Sequence, residues 1–213
     1  MLLMLVVAMT MAMPTMNAQS ERQAKKAMQK DMKTKLKEYK KGHWTVYGTS
    51  RTLETALLDH YIRLHEEGAQ EIVGVASSFI SKNVGMQSAA NSAINNYARQ
   101  CQTFVRGRIT SDMFSDADDI PSEFDKFCAA YESLVVKEIK GELEPSYTII
   151  RSKGKNKEGK ETFEMMSFYI VNESKAARAR QRALENAIKE SELSEKYANQ
   201  VSGFVREGFK VQE

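Results

Sequence analysis

The sequence predicts an α+β fold: a mixed or antiparallel sheet of about five strands packed against several amphipathic helices on one side. Three observations carry this. Short β-branched and aromatic runs alternate with segments whose apolar residues recur at three and four positions. The two clearest strands, Ser146–Arg151 and Phe163–Val171, flank the polar turn Gly154–Lys160 and read as an antiparallel hairpin. A long alanine-striped helix follows them. The 213 residues are 42% hydrophobic, with no Pro- or Ser-rich linker, which suits one compact domain over 43–213.

Taken from the start, Met1–Ala18 is uncharged and strongly apolar, and Pro14 interrupts it. A membrane span needs about 20 apolar residues, so residues 1–18 are expected to be a secretory signal cut after Ala18. A retained apolar anchor is the competing reading. Residues 19–42 form a basic segment. Glu21–Lys41 carries nine Lys or Arg against three acids, +6, whereas the whole chain is only +3, so the remainder sums to −3. Ala24, Met28, Met32, Leu36 and Tyr39 make a narrow apolar stripe on this helix. Lys25, Lys26, Lys30, Lys33 and Lys37 are candidates for contact with an anionic surface. The commoner arrangement, and the one expected here, is a solvated helix whose lysine stems cover apolar surface of the body. Basic charge also suits nucleic acid, but export argues against that partner.

Gly42 is expected to end the helix. His43–Gly48 reads as a short strand holding the one tryptophan, Trp44. Thr49, Ser50 or Thr52 caps the next helix, whose apolar face is Leu53, Ala56, Leu57, Tyr61 and Leu64. Glu71–Phe79, with Ile72, Val73, Val75 and Phe79, reads as a strand apolar on both faces and therefore inner in the sheet. Asn83 and Gly85 break the run. From Gln87 to Cys101 the residues Ala89, Ala90, Ala93, Ile94, Tyr97, Ala98 and Cys101 take helical spacing. Phe104, Val105, Ile109 and Met113 read as a returning strand.

A strand VGVASS, then a helix AANSAINNYARQ, then a strand TFVRGRITSD resembles the core of the twenty-kilodalton outer-membrane lipoprotein family and the related N-terminal domain of a flagellar assembly protein. The resemblance covers about a fifth of the chain. It implies an α+β fold in the cell envelope and no catalytic residues. The chain departs from the family in having no cysteine near the expected cleavage point to carry a lipid.

Ser111–Pro121 is an acidic connector with Asp112, Asp116, Asp118 and Asp119. It lacks the glycine and distal glutamate of a calcium loop, so capping and solubility are the expected roles. Ser122 with Asp125 reads as a capping box before the helical stripe Phe124, Phe127, Cys128, Tyr131, Leu134, Val135 and Ile139, and Gly141 stops it. Asn172 or Ser174 caps the last helix, which is expected to break near Ser191–Ser194.

Chemistry is sparse. His60 and His65 are five apart and do not share a zinc-binding helix face. No phosphate loop, GxSxG, HExxH or CxxC occurs. No cofactor and no catalytic residue is expected. After export Cys101 and Cys128 are free to form a disulfide or to remain buried thiols. The expected function is a non-enzymatic exported protein of the periplasm or cell envelope, structural or binding another envelope protein or itself through a sheet edge or exposed helices. Two alternatives stand beside it. One is an exported hydrolase or thiol-dependent enzyme using Cys101 or Cys128. The other is a peripheral membrane-surface protein held by the basic helix.

Overall fold

The computed structural model describes residues 14–114 and 121–207. The fold is α+β, with a four-stranded antiparallel sheet in the order β1-β3-β4-β2. The chain runs α1 (Pro14–Lys41), β1 (Thr45–Val46), α2 (Leu53–Leu64), β2 (Ala69–Phe79), α3 (Lys82–Met113), α4 (Ser122–Ile139), β3 (Glu144–Lys155), β4 (Glu161–Asn172), α5 (Glu173–Ser191) and α6 (Glu195–Glu207). The expected signal peptide falls mostly on residues 1–13, outside the described residues. Asp116, Asp118 and Asp119 of the acidic connector lie outside them too.

Helices cover both faces of the sheet, not one. Side chains alternate along a strand, and β4 shows the consequence. Tyr169 and Val171 pack into the larger core with α3, α4, α5 and α6, while Met166 and Phe168 join Met32, Tyr39, Ala56 and Leu57 of α1 and α2. The reason is that α1 is committed to the body: its apolar stripe buries Met32 and Tyr39 against α2 and the sheet.

Four strands form where about five were expected, because Phe104–Met113 is the last third of α3. Cys101, Val105, Ile109 and Met113 are four apart, so they prolong the preceding stripe. Val105 and Ile109 are fully buried against α4 and α6. The β-branched character of the run was overridden by the packing that this spacing makes available. Nor do Asn83 and Gly85 interrupt anything beyond the end of β2. Gly85 lies inside α3, where a Cβ would come within 2.3 Å of the Phe79 ring.

β2 is an edge strand, not an inner one. Ile72, Gly74 and Ala76 face α3, and Val75 on the other face is 41% exposed. Its apolar composition answers to the close approach of α3 on one face and to the half-burial of Val73 against α1 and α2 on the other.

Local signals fared unevenly. Thr52 caps α2 by accepting from Thr55 N–H, and Asn172 caps α5 by accepting from Ser174 N–H. The expected capping box at Ser122 does not form: Pro121 occupies the N-cap. The left-handed residue after α1 is His43 (φ 55°) rather than Gly42, whose missing Cβ accommodates the Trp44 indole, 2.9 Å away. The hairpin β3–β4 forms as expected, and the last helix divides at Glu192, which takes left-handed φ 54°.

The tightest constraint is Gly74. A Cβ there would sit 1.9 Å from Ala89 O and 2.6 Å from Ala93 N, both backbone atoms. Gly74→Ala is expected to destabilise the protein by at least about 3 kcal/mol, since two backbones must separate. Gly107 is helical, and a methyl added there would meet nothing within 4 Å, so Gly107→Ala should stabilise by about 0.5–1 kcal/mol. Urea denaturation midpoints of the two variants check both signs.

Candidate functional site

Three polar constellations come together, and each traces to a helix packed on the sheet. The first is a groove of about 730 Å³ between β2 and α3, lined by Ile72 and Val73 of the strand and by Asn96, Arg99, Gln100 and Thr103 of the helix. Gly74 explains it. The helix touches the strand at Ala89 and Ala93, and one to three turns further on the two elements leave open space. Asn96, Gln100 and Thr103 with Arg99 repeat at three and four residues, a second, polar stripe beside the alanine stripe on the same helix.

This groove borders the free edge of the sheet. Val75 N–H points away from β4 and donates to Ser92 Oγ on α3 at 3.3 Å. Strand geometry repeats every two residues, so the N–H and C=O of Val73 and Glu71 point to the same side. They face the groove at the level where its lining begins. An unpaired strand edge of this kind is a template for a further strand.

The second constellation is His60, on the buried face of α2 and missed by sequence reasoning that looked only for metal spacing. The imidazole is 2% exposed. Nδ1 lies 2.9 Å from Ser146 Oγ and Nε2 lies 3.5 Å from Glu71 Oε1. The rings of Tyr61, Tyr147 and Phe168 enclose it. Serine, histidine and carboxylate are the residue types of a hydrolytic triad. Here, however, the imidazole is wedged between α2 and the sheet, and its two nitrogens tie α2 to β3 and β2. The arrangement satisfies a buried ring. The signal that could have found it was the position of His60, three after Leu57 and four after Ala56 on the apolar stripe.

The third is the buried guanidinium of Arg180 on α5. It donates to the carboxylate of Glu173 and, at 2.6 Å, to Tyr97 Oη. Gln70 Nε2 donates to Glu173 Oε2 at 2.7 Å, an oxygen that Arg180 Nη1 also reaches at 3.5 Å. Burial opposes the charge of Arg180, but the hydrogen bonds to Glu173 and Tyr97 outweigh it and raise its pKa further. The network joins α5, α3 and β2 through one core cation.

Both cysteines are buried free thiols, so the disulfide that oxidation would permit is not formed. Burial pushes Cys101 up to about 12 and Cys128 up to about 11. A thiolate is the reactive form, and at pH 8 both groups are protonated. Neither is poised as a nucleophile. Among the described residues, no three His, Cys, Asp or Glu side chains converge as metal ligands, and no helix is long and apolar enough to cross a membrane.

Of the five lysines singled out on α1, the structure gathers Lys26, Lys30, Lys33 and Lys37 on one exposed face. Lys25 falls about 100° round the helix from Lys26, nearer the docked side.

No family model and no curated protein matches this sequence.

Two outcomes test the site chemistry. Alkylation at pH 8 should leave Cys101 and Cys128 unlabelled in the native chain and label both in urea; stoichiometric native labelling would restore a thiol mechanism. Glu173→Ala leaves the Arg180 guanidinium in the core without its carboxylate and should cost about 3–5 kcal/mol in a denaturation experiment.

Proposed function

We infer that this chain is an exported cell-envelope protein that acts by binding, not catalysis, and that it captures an extended polypeptide segment along the free edge of β2. The observation that carries this is the open edge of an 11-residue strand beside a groove walled by α3. Strand addition draws affinity from main-chain hydrogen bonds, and the neighbouring pocket selects side chains. Val73 and Glu71 supply outward main-chain groups. Asn96, Gln100 and Thr103 supply hydrogen-bonding partners for the added segment, and Arg99 a cation. The ligand is a segment of another envelope protein or of a second copy of this chain. Export rests on the uncharged apolar start of the sequence.

The test uses a random peptide display library selected on the native protein. Val73→Pro removes an N–H that points to the free edge and leaves the β4 ladder intact. Thr103→Trp fills the groove from an exposed helix position. Selected peptides should bind either variant at least about tenfold more weakly, and they should slow hydrogen exchange at the Val73 amide. Peptides that bind native and blocked proteins equally would remove the edge from the account. Fractionation with N-terminal sequencing should find a chain beginning near Gln19 in the envelope fraction. A cytoplasmic chain with intact Met1 would remove export.

A further inference from the structure

On the opposite side of the sheet from the groove lies a surface of different character. Arg22, Lys26, Lys30, Lys33, Lys37 and Lys40 are all exposed. By helical geometry they fall within an arc of less than about 100° and extend for about 27 Å along α1. Asp31 and Glu38 lie well round the helix from this arc. Glu38 is held by Lys35 at 3.2 Å, away from the stripe. None of Lys26, Lys30, Lys33 and Lys37 has an acidic partner among the described residues. Meanwhile Met32, Leu36 and Tyr39 of the apolar stripe pack against α2 and the sheet, which turns the basic face outward.

We propose that this face of α1 is an electrostatic contact for the headgroups of an anionic lipid bilayer. Charge separation is the first argument: +6 resides in Glu21–Lys41 and −3 in the rest of the chain, so a plane of negative charge orients the molecule with α1 towards it. Shape is the second. A straight row of like charges over this length matches an extended surface, whereas one small anion would engage two or three of them. Residue type is the third. From Lys25 onward every cation of α1 is lysine, a hydrated point charge suited to a diffuse anionic layer, where arginine would favour bidentate phosphate recognition. The only aromatic residue of α1, Tyr39, is buried, so the face has no platform for stacking bases. Lipid is therefore favoured over nucleic acid. Because Met32, Leu36 and Tyr39 are already docked on the body, adhesion rests on charge and is reversible by salt.

The experiment is sedimentation of the full chain with vesicles of equimolar phosphatidylglycerol and phosphatidylcholine, compared with phosphatidylcholine alone. At low ionic strength the protein should pellet with the anionic vesicles and stay in solution with the neutral ones. High salt should release it. Each lysine near such a surface contributes about fivefold. The quadruple variant K26Q/K30Q/K33Q/K37Q should therefore partition several hundredfold more weakly, while K26R/K30R/K33R/K37R keeps native binding. All four positions are solvent-exposed, and circular dichroism confirms folding; should the glutamine variant lose its fold, the salt titration of the native chain decides in its place. Absence of binding at low salt overturns the proposal. So does equal pelleting on neutral vesicles unaffected by the substitutions, which would assign adhesion to the apolar N-terminal residues. Retardation of a DNA duplex by a chain that ignores anionic vesicles also overturns it, in favour of nucleic acid.

Discussion

The contact between Gly74 of β2 and the backbone of Ala89 and Ala93 on α3 governs the architecture. Only a residue without a side chain lets the strand and helix backbones meet there. That approach needs small residues on both elements, which explains the alanine stripe of α3 and Ala76 beside Gly74. It also has a geometric cost: two straight elements that touch at one point diverge elsewhere. The divergence produces the groove by Ile72 and Val73, and it leaves the outward main-chain groups of β2 within reach of a ligand. Ser92 satisfies the one at Val75, close to the crossing.

A small cluster of Ala76, Ala89, Ile150 and Met165 lies at this contact, and around it the molecule is held by two larger, unlike cores. The larger one, between the sheet and α3 to α6, contains a buried cation, Arg180, which is tolerable because Glu173 and Tyr97 bind it and Gln70 positions the carboxylate. A buried ion pair brings little net stability over an apolar substitute. What this one does is connect three elements through a directional network. The smaller core, beneath α1 and α2, is built on aromatic stacking. Tyr147 and Phe168 lie parallel with centroids 4.3 Å apart, and His60 meets both edge-on. In each core the polar group serves to fix where an element sits.

The two surfaces proposed for binding lie on opposite sides of the sheet and rely on different physics. The β2–α3 groove offers unpaired main-chain groups and a polar helix stripe, so it discriminates by geometry. The face of α1 offers a row of lysines with no acidic partner among the described residues, so it responds to charge and salt. A molecule that adheres through one and captures through the other presents its groove away from the surface that holds it.

Much of the secondary structure was legible. The 3.6-residue and two-residue periodicities are properties of local chain geometry, so they disclosed the helices from Leu53, Gln87, Ser122 and Glu173, the hairpin, the α+β class, and the +6 charge of the first helix. At Phe104–Met113 composition and spacing disagreed, and spacing, continued from Cys101, was the physically decisive signal because it determines which side chains can be buried together. Whether β2 is inner or at the edge, which faces the helices cover, the enclosure of His60 and the pairing of Arg180 depend on residues distant in the chain. His60 meets Ser146 across 86 positions. The sequence by itself thus determined the elements and the distribution of charge; the tertiary structure decided the groove, the free edge and the fate of the buried polar groups, because those arise only when separate elements pack against one another.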